Sequence, residues 1–165
     1  MMASRTLLLD ALPKFGVVGE IGVWKGEFSK KILDIAQAER LHLFDMDFSI
    51  CMPEVMADAR VTCHQGDSST LLSDWRYGLF DWIYVDGDHS YEGIRKDIEA
   101  AAPLIREGGY LVFNDYAHIT PLGLGSFGVH RAVTEFAQRH KWKLIFLAWQ
   151  RNGLYDVAIQ APQKA

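Results

Sequence analysis

The sequence predicts an α/β protein: a three-layer sandwich whose seven-stranded, mainly parallel sheet ends in an antiparallel hairpin. Three observations carry this. Apolar spacing switches between strand-like and helix-like down the whole chain, so strands and helices alternate and the helices must cover both sheet faces. Several strand segments are nearly continuous apolar runs, as in strands buried on both sides. The last two strand segments are separated only by Gln150-Arg-Asn-Gly-Leu154, which permits a hairpin and no crossover. One terminal strand must therefore run antiparallel.

The strand segments are Phe15–Ile21, Leu41–Phe44, Val61–His64, Phe80–Val85, Tyr110–Phe113, Lys143–Trp149 and Tyr155–Gln160. Between them, Phe28, Ile32, Ile35 and Ala36 recur at helical spacing. So do Tyr91, Ile94, Ile98, Ala101, Ala102 and Ile105, behind Ser90 as an N-cap, and Val129, Ala132, Val133, Phe136 and Ala137. Pro53–Ala59 and Ser68–Trp75 read as shorter helices. No repeat, low-complexity tract or linker interrupts the pattern.

With 165 residues, 49% hydrophobic and 23% charged, the chain suits one globular domain, residues 1–165. A net charge of -4 gives no basic footprint, which disfavours nucleic acid and membrane surfaces as partners. Cys51 and Cys63 are too few to staple a fold and read as reduced thiols of a cytoplasmic protein. Leu7 to Leu9, cut short by Asp10 and Pro13, is too brief for a signal-peptide core or a membrane span.

In open α/β sheets ligands sit beyond the carboxyl ends of the strands, so the residues after each strand carry the chemistry. Glu20-Ile-Gly22-Val-Trp24-Lys-Gly26 follows the first. Its glycines allow close backbone approach, but the spacing is not the G-x-G-x-x-G of a dinucleotide site, and the leading carboxylate suits an ammonium better than a phosphate. Asp45, with Asp47 nearby, ends the second strand about where a ribose diol is held; it also fits an ordinary turn. Asp67 and Ser68 follow the third and are equally good as acceptors for an adenine amine or as a helix cap. Asp86, Asp88 and His89 crowd the end of the fourth. Asn114 and Asp115 end the fifth beside Asp86, a grouping of oxygen ligands that suits Mg²⁺ or a similar divalent ion. A solvated acidic loop is the alternative.

Taken in order, Glu20-x-Gly22-x-x-x-Gly26, Asp45, Gly66-Asp67-Ser68, Asp86-Gly-Asp88-His89-Ser-Tyr91-Glu-Gly93, Gly108-Gly109 and Asn114-Asp115-Tyr116 resemble the class I S-adenosylmethionine-dependent methyltransferases. Among these, the chain is most similar to small bacterial O-methyltransferase-like proteins with an Asp-Gly-Asp-His-Ser-Tyr-Glu-Gly segment. The resemblance runs from about Phe15 to Gln160 and implies a Rossmann-like fold. It implies that Glu20, Gly22 and Trp24 line the methionine part of the cofactor, with Gly26 closing the loop. Asp45 would hold the ribose and Asp67-Ser68 the adenine. Asp86 would be the central site residue, joined by Asn114 and Asp115 around a metal. The Asn-Asp order departs from the acidic pair or Asp-Asn order common in relatives.

The implied reaction is O-methylation of a small hydroxylated acceptor, with His89 or Asp88 as general base. At an ordinary pKa near 6.5, His89 is expected to be mostly neutral at pH 7. Tyr116 through Phe127 reads as a loop over the acceptor site or a passive connection. Relatives carry a longer N-terminal segment over the substrate than the fourteen residues before Phe15. The acceptor site is then open or completed by a second subunit of a homo-oligomer. Two other classes stay in view: a cofactor-binding protein without catalysis, and a nucleotide-cofactor oxidoreductase, which the glycine spacing disfavours.

Overall fold

The structure is a computed structural model describing residues 2, 4–117, 127–150 and 153–163. Its seven strands are β1 (Val17–Ile21), β2 (Arg40–Asp45), β3 (Val61–Gln65), β4 (Phe80–Val85), β5 (Ile105–Phe113), β6 (Lys143–Trp149) and β7 (Tyr155–Gln160). They form one sheet in the order β3-β2-β1-β4-β5-β7-β6. The first five pair in parallel, and β7 runs antiparallel between β5 and β6. The expected hairpin is therefore present.

Among the described residues, six α-helices flank the sheet: α1 (Arg5–Ala11), α2 (Glu27–Lys31), α3 (Pro53–Met56), α4 (Ser68–Ser73), α5 (Tyr91–Ala101) and α6 (Val129–His140). α2 continues into a π-helical turn over Ile32–Ala36. Alternation along β4 shows how the layers are built. Trp82 and Tyr84 point to one face, where they pack with Leu8 and Leu9 of α1, Ile32 and Val55. Ile83 and Val85 point to the other, against Leu72 of α4, Ile94 and Ile98 of α5 and Val129 of α6, and Phe80 joins them across the irregularity between Phe80 and Trp82. These five β4 side chains are fully buried, and only Asp81, itself 9% exposed, interrupts the strand's apolar run. No helix among the described residues is long and apolar enough to cross a membrane.

The sequence reading missed α1. Its signals are modest: the Ser4 side chain accepts from Leu7 N–H as an N-cap, and Leu8, Leu9 and Leu12 form a short buried stripe. β5 also starts at Ile105 rather than Tyr110, because Ile105 pairs with Phe80 across an irregularity that takes Gly108-Gly109 into the strand.

The chain lays β1, β2 and β3 to one side and then crosses back to place β4 and β5 on the other. The segments that leave β1 and β4 therefore run to opposite faces of the sheet at the switch point, which opens a crevice there.

Candidate functional site

Two cavities occupy this crevice and share Gly22 and Asp45 as lining residues. Gly22 has φ +80°, and a Cβ there would lie 2.1 Å from the Asp86 carbonyl oxygen. Only glycine lets the β1–α2 turn pass this close to the end of β4. The larger cavity, about 570 Å³, is lined by Glu20, Trp24, Phe28, Asp86 and Arg5 of α1. Glu20 is 1% exposed, and neither carboxylate oxygen has a hydrogen-bond partner. Burial pushes its pKa up to about 8, with Asp86 and Asp45 adding to the rise; Ser29 tempers it without meeting hydrogen-bond geometry. A buried carboxylate with no internal donor invites a cationic ligand. Trp24 is 62% exposed beside it, and its ring is capped by Lys25 Nζ at 4.5 Å. Gly26 is the N-cap of α2, packed on Cys51, and lines neither cavity.

Asp45 stands between the cavities and organises the glycine turn. Its Oδ2 accepts from Val23 N–H at 2.7 Å and Trp24 N–H at 3.0 Å, and its Oδ1 accepts from Asp47 N–H at 3.1 Å. The second cavity, about 360 Å³, is lined by Phe44, Met46, Asp67, Ser68, Asp88 and Asp97. Here Asp67 caps α4: its Oδ1 accepts from Thr70 N–H at 2.8 Å and from the Ser69 and Thr70 hydroxyls, which holds its pKa down. Asp88 braces Ser90, the N-cap of α5, accepting from Ser90 N–H and Oγ, both at 2.8 Å. That turns Asp88 away from the larger cavity.

Beyond Glu20 lies a polar network that sequence reasoning only half anticipated. Asn114 Nδ2 donates to Asp86 Oδ1 at 2.6 Å. Asn114 Oδ1 accepts from Arg5, from Tyr84 OH at 3.3 Å and from Gln150 at 2.8 Å. Asp156, fully buried on β7, accepts from Arg5 Nε at 3.1 Å, Tyr84 OH at 3.2 Å and Gln150 at 2.6 Å. Asp115 accepts from Gln150 at 3.0 Å, and burial raises its pKa.

This arrangement bears on the metal expectation. Asp86, Asn114 and Asp115 are brought together, but Asn114 presents its amide nitrogen to Asp86, and its oxygen is already occupied by three donors. The cation of the cluster is Arg5, fixed by Asp156. Among the described residues no group of three or more His, Cys, Asp or Glu side chains is placed to hold a metal ion. Millimolar Mg²⁺ should accordingly leave the thermal midpoint of the protein unchanged, by calorimetry or fluorescence melting. A saturable rise that Asp86→Ala abolishes would restore the metal reading.

The surroundings of His89 shift its titration. Its Nε2 lies 3.3 Å from Asp86 Oδ1, an ion-pair contact outside hydrogen-bond alignment. Asp86 raises its pKa against the opposing effect of burial, and Asp115 and Asp88 add to the rise. More of it is protonated near pH 7 than an isolated imidazole would be. Of the expected acceptor loop, residues 118–126 lie outside the described residues.

A methyltransferase-domain family model matches residues 19–116, more than half of the chain. The chain belongs to that family. Comparison with curated protein sequences finds no match. Among solved structures, the fold is similar to the N-methyltransferase NodS from Bradyrhizobium japonicum WM9 in complex with S-adenosyl-L-homocysteine (TM-score 0.73, 18% identity, 96% of this chain and 85% of that one). It is also similar to an O-methyltransferase from Bacillus cereus in complex with the same ligand (0.70, 15%, 94% and 78%). A Streptococcus thermophilus protein that carries a hemolysin name superimposes as well (0.72, 16%, 97%), and this chain spans 65% of its length. At such identities the likeness establishes the fold and leaves function to the site.

The matched segment of the methyltransferase domain contains every anticipated site residue from Glu20 to Asp115. Arg5, Gln150 and Asp156 fall outside it. Tyr84 and Asp97 lie within it but went unread. Asp97 did leave a signal: it is a charge on the buried i, i+3, i+4 face of α5, between Ile94 and Ile98. Asp156 left one too, as an acid in an otherwise apolar strand.

Proposed function

We propose that this methyltransferase-domain protein binds S-adenosylmethionine across the two cavities and transfers its methyl group to the hydroxyl of a small acceptor. The orphaned Glu20 carboxylate carries the reading. Buried and without a donor, it matches the ammonium of an amino-acid moiety, whose charge favours its ionised form. Gly22 and Asp45, common to both cavities, suit the ribose that would join the two halves. Asp45 has one oxygen committed to the glycine turn and the other shared with a single N–H, which leaves acceptor capacity for a hydroxyl. The bound sulfonium supplies an electrophilic methyl carbon, and the protein's part is alignment and proton removal. Calorimetric titration should show binding of S-adenosylhomocysteine and none of comparable strength for NAD; the reverse order would end this reading.

In this reading His89 is the general base, and Asp86 holds the imidazolium that forms when it takes the acceptor's proton. Only neutral His89 can accept that proton, so turnover should climb as pH rises through its elevated pKa. Measured at saturating methyl donor on a panel of hydroxylated acceptors, the rise should lie to the alkaline side of an ordinary histidine. His89→Gln should flatten it and lower kcat by about 10²–10⁴-fold. An unchanged profile in the variant would move the base elsewhere.

A further inference from the structure

The distal cavity holds a second buried carboxylate that the proposed reaction does not use. Asp97 projects from α5, is 5% exposed, and lines the cavity between the β3–α4 and β4–α5 loops. Its Oδ1 accepts from Ser68 Oγ at 2.5 Å. Its Oδ2 faces Gly87, where an added Cβ would stand 3.4 Å away, so the missing side chain at Gly87 keeps this oxygen open toward the cavity. Burial lifts its pKa to about 6, with Asp67 and Asp88 adding to the rise and Ser68 opposing it. Asp97 therefore remains mainly a carboxylate, an acceptor without a donor function, at neutral pH. Asp67, the acid anticipated for this end of the ligand, has Oδ1 committed to three donors of its own helix cap.

We propose that Asp97 is a specificity-determining residue: through Oδ2, with Ser68 fixing its rotamer, it selects a ligand whose distal ring carries an exocyclic amine over one carrying an oxo group. This rests on the S-adenosylmethionine reading and identifies the group that reads the base. A carboxylate can accept from an amine but faces an oxo oxygen lone pair to lone pair.

The discriminating substitution is Asp97→Asn. Its amide oxygen can still accept from Ser68, which leaves the nitrogen, a donor, toward the cavity. Wild-type protein should bind S-adenosylhomocysteine roughly 10–100-fold more tightly than S-inosylhomocysteine, in which an oxo group replaces the amine. In Asp97→Asn the ratio should collapse or invert, because the oxo ligand gains a donor as the amine ligand loses an acceptor. A purely structural Asp97 would weaken both ligands equally and keep the ratio, which overturns the assignment. Should the variant fail to fold, the wild-type ratio alone decides: equal binding of the two ligands removes the role. Wild-type protein that binds neither would instead bring down the cofactor reading on which this assignment stands.

Discussion

Replacing Glu20 by glutamine should move ligand affinity and fold stability in opposite directions. Affinity for S-adenosylhomocysteine should fall roughly 10–150-fold, the worth of one charge-assisted hydrogen bond to the ammonium. Stability of the free protein should rise at alkaline pH. The folded-state pKa of Glu20 is raised from 4.5 to about 8, so between those values the folded protein holds a proton that the unfolded chain releases. Wild-type stability from this group is therefore complete below about pH 4.5 and drains away up to about pH 8. Glutamine has nothing to titrate, so the variant should match wild type at pH 5 and exceed it at pH 9. Ligand binding should also release a proton from wild type at pH 7, because the ammonium favours the carboxylate. Calorimetry in buffers of different ionisation enthalpy reads this directly, and Glu20→Gln should show none. A variant with undiminished affinity, or one less stable than wild type at pH 9, would show that Glu20 has an internal partner and no ligand role.

Asp156→Ala should be the most damaging single change to the polar network. It strips one acceptor from Arg5, Tyr84 and Gln150 together and leaves them Asn114 Oδ1 to share, and the alanine cannot replace it. Removing one partner of a buried pair costs about 3–5 kcal/mol. The Arg5 side chain is 28% exposed and can recover some water, so about 2–4 kcal/mol is expected here. Urea unfolding measures this; a loss below about 1 kcal/mol would show the network to be dispensable. The double change Arg5→Met with Asp156→Leu should recover much of the loss, since an apolar pair leaves no buried charge unmatched. Methyl transfer should not recover with it, because Asn114 would lose Arg5 and its hold on Asp86 would loosen.

What was legible in the sequence follows the range of the interactions involved. β4, β6 and β7 were read to the residue because burial on both faces, or a hairpin, writes itself into adjacent positions. Glu20 was legible because a charge inside an apolar strand, just before a glycine turn, has few structural uses. Asp67 was read with its cap and ligand roles in balance, and local hydrogen bonding establishes the cap. The partners of Asn114 were out of reach for a different reason. Adjacent strands do bring Asp86 and Asn114 together, but which atom Asn114 turns toward Asp86 is decided by donors arriving from α1 and the β6–β7 turn. Arg5 lies 109 positions from Asn114 and 151 from Asp156, and no local pattern encodes a meeting at that distance. Helix α1 itself went unread, so its arginine was not in play.

The ion pair between Arg5 and Asp156 also dictates when the site can exist during synthesis. The segment from Glu20 to Asn114 emerges from the ribosome with its strands in folding order, yet Arg5 has no acceptor on β7 until translation has passed residue 156. β7 must also insert between β5 and a β6 made before it, so the sheet is completed out of order. Nascent chains lacking the last strand would hold an unpaired β5 edge and an Arg5 without its Asp156 partner, a state open to mispairing with other chains. The bond that spans the greatest sequence separation thus works as a completion lock. The charged centre of the crevice assembles last, after the whole sheet has been made.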